Sequence, residues 1–444
     1  EKNKKSKEKI FKIKEFFFFF LLCKILYEIM TKNKVEIMSP VGSYEALYAA
    51  IEAGADSVYF GVEGLNMRSR SANNFTIEDL KNIADIASQN GVKTYLTLNT
   101  IVYDSELGYM QEILNAAKQS GVSAVIAADL AVISYARSIN LEVHLSTQCN
   151  ITNREAVKFF SQFADVIVTA RELSLDKVKD ITTWIRENNI KGPSGRTLEI
   201  ECFVHGALCM AVSGKCYISL DNANQSANRG ACLQFCRRPY KVTDLDGGTE
   251  LMIDNQYIMS PKDLKTLNFL DKVLDAGVRV LKIEGRGRSP EYVKVVTRVY
   301  KEAAQAWLNG EWSEDKLEKW NEDLKKVYNR GFWDGYYLGQ RVGEWTKKYG
   351  SQATTKKTFI GTVTNYFKNI SVAEIKIETG ELKVGDNIYI MGTTTGVYED
   401  TVEEIRVDLK PTEKTVKGEF CSIATKGVVR RGDKLYLVES TGIC

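Results

Sequence analysis

Four cysteines, Cys209, Cys216, Cys232 and Cys236, crowd into twenty-eight residues of a 444-residue chain that holds nine in all. The gaps between them are six, fifteen and three residues, and Gly206, Gly214 and Gly230 each stand within three residues of one of them. Glycine permits the tight turns that would bring four sulfurs together. Thiolates are the soft donors that iron–sulfur clusters and zinc select. Zinc ligands usually come as C-x2-4-C pairs, and only Cys232 and Cys236 fit that spacing, which leaves a cluster somewhat ahead of zinc. A disulfide pair would imply an oxidising compartment. Buried structural thiols are the plain alternative.

Acid–base chemistry has few carriers. The chain has two histidines, His144 on an expected strand and His205 just past the end of another. Neither H-E-x-x-H nor G-x-S-x-G occurs, which weakens a zinc-protease or serine-hydrolase reading. A lone strand histidine is more often a satisfied core residue. At or near strand ends stand Arg68, Arg70, Arg171, Glu172, Glu284 and Arg286. Singly each reads as a surface ion pair of little energetic weight. Together they set carboxylates beside guanidiniums. Between Ala207 and Lys241 five cations (Lys215, Arg229, Arg237, Arg238 and Lys241) face one acid, Asp221. That local net of +4 suits an anionic substrate or a nucleic-acid strand, because the arginine fork matches phosphate and carboxylate oxygens.

These residues need a scaffold. From Val35 onward, eight short apolar runs alternate with helical stretches: Val35–Ser39, Ser57–Gly61, Lys93–Leu98, Ala124–Ala128, Glu142–Ser146, Val166–Thr169, Leu198–Phe203 and Val280–Ile283. Helices such as Tyr44–Ala53 and Ile77–Ser88 fill the gaps with apolar spacing near 3.6. Eight such units predict a TIM-type (β/α)8 barrel, an open doubly wound sheet being the other arrangement of the same pattern. In either, chemistry belongs at the C-terminal strand ends, over which the cysteine-rich insertion 207–241 would lie. The barrel is expected to span 30–289, with a helical extension and linker at 290–355 that contains Pro290–Leu308 and Glu314–Val327.

After Lys356 the texture changes to short alternating runs: Phe359–Tyr366, Val372–Ile377, Asn387–Ile390, Thr401–Val407, Glu419–Ile423 and Lys434–Val438. Gly385-Asp386 and Gly432-Asp433 mark turns, so 356–444 reads as a small β-barrel. Thirteen cations balance thirteen acids there. Lys383-Val384-Gly385-Asp386 resembles the second-domain barrel of translation GTPases.

Size and composition suit two or three domains with a large core. Residues 1–29 carry eight Lys and four Glu, so the formal +3 of the chain becomes 3 − 4 = −1 from Met30 onward. The apolar run Phe16–Cys23 is too short and interrupted to span a membrane and lacks a signal-peptide cleavage site. Residues 1–29 therefore read as an extension outside the working protein, with a natural start at Met30. No other run qualifies as a transmembrane helix, which points to the cytoplasm.

The wording of the cysteine segment is more specific than its spacing. Glu201, Phe203 and Gly206-Ala207-Leu208-Cys209, followed by Gly214, Cys216 and Ser219, resemble the signature of the collagenase-like peptidase family U32. Asn228-Arg229-Gly230, Cys232, Gln234 and Cys236-Arg237 continue it. So do Ser260-Pro261-Lys262-Asp263-Leu264, Lys282-Ile283-Glu284-Gly285-Arg286, Arg330-Gly331-Phe332 and Tyr337-Leu338-Gly339. His144-Leu145-Ser146-Thr147-Gln148 with Asn150 matches a further block. Phe235 stands where the family usually has Pro, and Gln225 where Arg is common.

Members with a C-terminal β-barrel act in oxygen-independent hydroxylation of RNA, including the wobble uridine of tRNA, with prephenate as hydroxyl source and a 4Fe-4S cluster on four cysteines. The resemblance thus implies cluster ligation by Cys209, Cys216, Cys232 and Cys236. It makes His205, Glu172 and Glu284 candidate catalytic groups, and Arg68, Gln148 and Arg286 candidate substrate-binding groups. The expected partners are tRNA and a small anionic co-substrate. The rivals are a collagenase-like peptidase with a structural metal and an RNA-binding adaptor without catalysis.

Overall fold

A computed structural model describes residues 35–70, 74–241, 257–339 and 343–442. The extension assigned to residues 1–29 lies outside them. Strands β1 (Glu36–Pro40), β2 (Ser57–Phe60), β3 (Lys93–Leu98), β4 (Ala124–Ala127), β5 (Glu142–Leu145), β6 (Val166–Val168) and β7 (Glu199–Gly206) pair in parallel, each with the next. A further strand, Val280–Ile283, pairs in parallel with both β7 and β1 and closes the ring. The eight predicted strands therefore form a closed barrel and not an open sheet.

Two short strands went unread in the sequence. The first is β8 (Asp263–Lys265), which runs antiparallel to the end of β7, so that Val280–Ile283 becomes β9. The second is β10 (Phe332–Trp333), which lies parallel to β8. At three and two residues they are too short to show a period.

Side-chain alternation divides the barrel residues into two sets. Ile37, Val58, Leu96, Val143, Ile200 and Leu281 face outward into one large core with the surrounding helices. Met38, Tyr59, Tyr95, Ile126, Val166 and Val280 face the lumen and pack on one another. Because each strand is covered outside and filled inside, its run reads as apolar almost throughout. The helix Pro290–Asn309 packs on the helix Tyr44–Glu52, and Ser39 and Thr297 join their hydroxyls at 2.7 Å. Residues 290–309 thus complete the eighth βα unit.

Beyond it, β11 (Thr355–Phe367), β12 (Val372–Ile377), β13 (Asn387–Gly392), β14 (Gly396–Thr401), β15 (Ile405–Val407), β16 (Lys410–Thr412), β17 (Phe420–Ala424) and β18 (Lys434–Ser440) form a separate antiparallel sheet around its own apolar core. The expected single strand Thr401–Val407 is two pieces. Up to Thr401 the chain pairs with β13; Val402 then donates to Asp386 O at 2.9 Å, and β15 turns to new neighbours, β16 and β17. This sheet rests on the barrel through Met391 and Val397 against Ala49, and through Lys357 to Glu291 at 2.7 Å. Among the described residues no helix is long and apolar enough to cross a membrane.

The cysteine-rich insertion leaves the end of β7 and is fastened over the barrel mouth. Ile101 N donates to Asn228 O at 3.1 Å, and the Arg229 guanidinium lies 3.9 Å from the Tyr103 ring centroid and pairs with Glu106. Gly230 has φ +81°, and a Cβ there would stand 2.2 Å from Ser69 Oγ and 2.4 Å from Asn66 O. Gly230→Ala is therefore expected to lower stability by about 2 kcal/mol, read as a lower urea midpoint. An unchanged midpoint would mean that the insertion does not rest on the β2 loop.

Candidate active site at the barrel mouth

The C-terminal strand ends and the underside of the insertion line a half-open cavity of about 240 Å³. Among the described residues its wall carries seven cations, Arg68, Arg171, Arg237, Lys282, Arg286, Arg288 and Arg330, against one carboxylate, Glu284. Two more acids stand behind the wall. Glu201 Oε1 meets Lys282 Nζ at 2.6 Å, and Asp263 Oδ1 meets Arg330 at 3.0 Å. The balance is 7 − 3 = +4. Buried charge without a partner is costly, so the cavity is set up to receive an anion.

Each cation is held in place. Arg286 donates to Thr97 Oγ1 at 2.7 Å and Asn66 Oδ1 at 3.1 Å, and a Cβ on Gly61 would come within 2.5 Å of its guanidinium. Burial pushes its pKa down to about 10. Arg237 is tied to the carbonyls of Pro261 and Leu208 at 2.7 and 2.6 Å, and Arg288 stacks 3.7 Å from the Tyr328 ring centroid. The Ser260–Leu264 and Arg330–Phe332 blocks meet here: β8 and β10 pair, and the Arg330–Asp263 ion pair joins them.

Glu284 binds Arg68 at 2.7 Å. Burial alone pushes its carboxyl up, but Arg68, then Arg288 and Arg171, together outweigh burial and hold it at about 2. Such a carboxylate is a fixed anion at neutral pH and a poor proton acceptor. Gln148 reaches the cavity from the loop after β5, with Ser146 donating to its Oε1.

The expected site residues divide. Arg68, Gln148, Glu284, Arg286, Cys209, Cys232 and Cys236 line the cavity together. His205 does not. Between Phe203 and His205 the register of β7 against β9 shifts by one residue, and such a bulge re-aims the side chain. His205 therefore packs outside the lumen, 1% exposed, among Tyr292, Tyr300 and Phe332. Burial, then Lys265 and Arg288, push its imidazole down to about 3, which leaves it neutral. Glu172 is exposed, while its neighbour Arg171 takes the inward place. His144 lies in the N-terminal half of the lumen, its ring 4.5 Å from that of Tyr95 and its Nε2 3.3 Å from Glu142.

Lys282, Glu201, Arg288, Arg330 and Asp263 were missed as site residues. Lys282 was readable: it stands two residues before Glu284 at the end of the last barrel strand and so shares the lumen face. Arg330 arrives from beyond two helices, and its Arg330-Gly331-Phe332 block carried the resemblance without showing that it reaches the cavity.

The seven described cysteines are free thiols. Cys202 is buried beside Thr169 and Cys421 lies in the core of the C-terminal sheet, apart from the insertion. The Cys236 thiol is pushed up by burial; Arg237 opposes this, while Cys209, Cys232 and Cys216 add to it. The four sulfurs are thus near enough to repel as thiolates, and a cationic centre between them would relieve that repulsion. Among the described residues no three Cys, His, Asp or Glu groups converge on a single-ion site. A four-iron cluster would take one thiolate at each iron; Cys209, Cys232 and Cys236 stand on the cavity wall, while Cys216 is half-buried and off it.

One prediction concerns Glu284. Its carboxyl is depressed from 4.5 to about 2 in the fold, so it contributes stability above pH 4.5 that is lost as pH falls towards 2, about 3 kcal/mol at most. Denaturant midpoints at pH 6 and pH 3 should differ less in Glu284→Gln than in the wild type. Equal differences would mean that the Arg68 pair does not form.

Comparison with known proteins places this geometry in a family. The model of peptidase family U32 matches residues 42–347. A Porphyromonas gingivalis protein named collagenase is 59% identical over 407 residues, covering 92% of this chain and 98% of that protein. The tRNA hydroxylation protein P1 of Bacillus subtilis is 33% identical over 390 residues, covering 85% and 88%. A 23S rRNA 5-hydroxycytidine synthase of Escherichia coli is 32% identical over 385 residues, covering 84% of this chain and 55% of the other. By sequence, this chain belongs to peptidase family U32.

Proposed function

We propose that this protein hydroxylates a uridine of tRNA, at the wobble position, without oxygen, taking the hydroxyl from prephenate held in the barrel mouth beside an iron–sulfur cluster. The observation that carries the reading is the +4 cavity at the barrel mouth with Cys209, Cys232 and Cys236 on its wall. Prephenate is a small dicarboxylate, and Arg68, Arg286 and Arg288 offer it guanidinium forks, the donors best matched to carboxylate oxygens. Glu284 keeps Arg68 in position and repels any carboxylate placed on its own side, which gives the pocket a direction. Cys209, Cys216, Cys232 and Cys236 would hold the cluster, which when bound supplies one-electron transfer. Lys215, Arg238 and Lys241 of the insertion are exposed and would serve a phosphate backbone. Relatives named for tRNA and rRNA hydroxylation support the substrate class.

The second reading, a collagenase-like peptidase, is favoured by the name of the relative at 59% identity. The site supports it less. A cysteine peptidase needs a thiol beside a basic imidazole, and both histidines are buried away from the four insertion cysteines, one of them held neutral.

Two outcomes test the proposal. Protein purified without oxygen should be brown and carry about four irons per chain. Serine at Cys209, Cys216, Cys232 or Cys236 should bleach it, whereas Cys149→Ser, Cys202→Ser and Cys421→Ser should not. Stoichiometric zinc without iron after anaerobic reconstitution would sink the cluster. Deleting the gene should strip one oxygen's mass from a specific tRNA uridine in digested nucleosides. The wild-type gene should restore it, and Arg286→Ala should not. Gelatin cleavage by highly purified protein that disappears with one cavity substitution, beside an unchanged tRNA profile, would favour the peptidase.

A further inference from the structure

We propose that Lys282 is an imine-forming lysine, whose Nζ condenses with the keto carbon of a 2-oxo acid bound in the barrel mouth. Lys282 lies near the C-terminal end of β9 with its side chain inward, 4% exposed and on the cavity wall. Its Nζ sits 4.7 Å from the Tyr59 ring centroid and 5.5 Å from that of Phe203, an aromatic slot with one polar partner, Glu201 Oε1, at 2.6 Å. A buried lysine in apolar surroundings, close to other cations, loses its proton more readily and becomes a nucleophile towards carbonyl carbon. Burial does lower the Lys282 pKa against the pull of Glu201, and Arg286 and Arg171 add to the lowering.

A structural ion pair leaves one observation unexplained. Glu201 is completely buried, and among the described residues its Oε2 has no hydrogen-bond partner. An unsatisfied carboxylate oxygen costs on the order of 1–3 kcal/mol and persists where something in the working cycle uses it. Condensation would use it. The ammonium passes a proton to Glu201, and the free amine adds to the keto carbon to form the N–C bond of a carbinolamine. The carbon–oxygen bond then breaks and the oxygen leaves as water, taking the proton back from Glu201. No electrons are gained or lost, so no oxidant or reductant is required. The carboxylate of the same acid would rest against the strand-end arginines. Since prephenate carries a 2-oxo acid side chain, the imine would anchor it covalently and supply an electron sink beside its carbon skeleton.

This inference rests on the pocket being the site of the small anion, and its test separates the two. The full chain, purified anaerobically, is titrated calorimetrically with pyruvate and with prephenate, then treated with borohydride in their presence, followed by intact mass and peptide mapping. The expected result is one reduced adduct per chain on the peptide containing Lys282. It should be absent from Lys282→Arg, which keeps a cation opposite Glu201, and should form roughly tenfold more slowly in Glu201→Gln. Binding of either acid with no adduct in the wild type overturns the imine and leaves the proposed function standing. Adducts confined to other lysines, or undiminished in Lys282→Arg, overturn it equally. Failure of both acids to bind overturns the imine and the anion site together.

Discussion

The mouth of this barrel gathers more positive charge than its own carboxylates neutralise. Seven cations share one small cavity with Glu284; behind the wall Glu201 pairs with Lys282, and Asp263 pairs with Arg330 and also acts on Arg288 and Arg237. Holding such a set together is unfavourable unless each group is tied down and a ligand completes the balance. Much of the local architecture does the tying: the Asn66 loop and Thr97 for Arg286, the carbonyls of Leu208 and Pro261 for Arg237, the small β8–β10 pair for Arg330. The insertion that brings the thiols also roofs the cavity. Thiol centre and anion pocket are therefore one construction.

Much of this was legible in the sequence, for identifiable reasons. The eight barrel strands could be read because each has an outer face against helices and an inner face in the lumen, as Ile37 beside Met38 and Val58 beside Tyr59 show. The glycines around the cysteines announced turns, and Gly206, Gly214 and Gly230 all have positive φ. His205 was misplaced because a one-residue bulge reverses the face of everything beyond it, and a bulge of this kind leaves no periodic trace. Glu172 was misplaced because in the turn after β6 only Arg171 faces inward. Strand pairs of two or three residues, such as β8 with β10, are decided by the tertiary partners they fasten and not by local preference.

The family's peptidase name and this geometry point in different directions. Function resides in sites set on folds, and a barrel that hosts one chemistry readily hosts another. Here both histidines are buried and off the cavity wall, Glu284 is held as a fixed anion, and the groups that meet in the cavity are those that grip carboxylates. Such a set serves anion binding far better than peptide hydrolysis.

The claim that most else depends on is that a small dicarboxylate occupies the cavity. A crystal structure of the protein, grown anaerobically with prephenate, would test it most directly. Density is expected for one molecule in the barrel mouth, its carboxylates against guanidiniums from among Arg68, Arg286 and Arg288, beside Cys209, Cys232 and Cys236. A cavity left to water at saturating prephenate, or prephenate bound elsewhere on the surface, would contradict it.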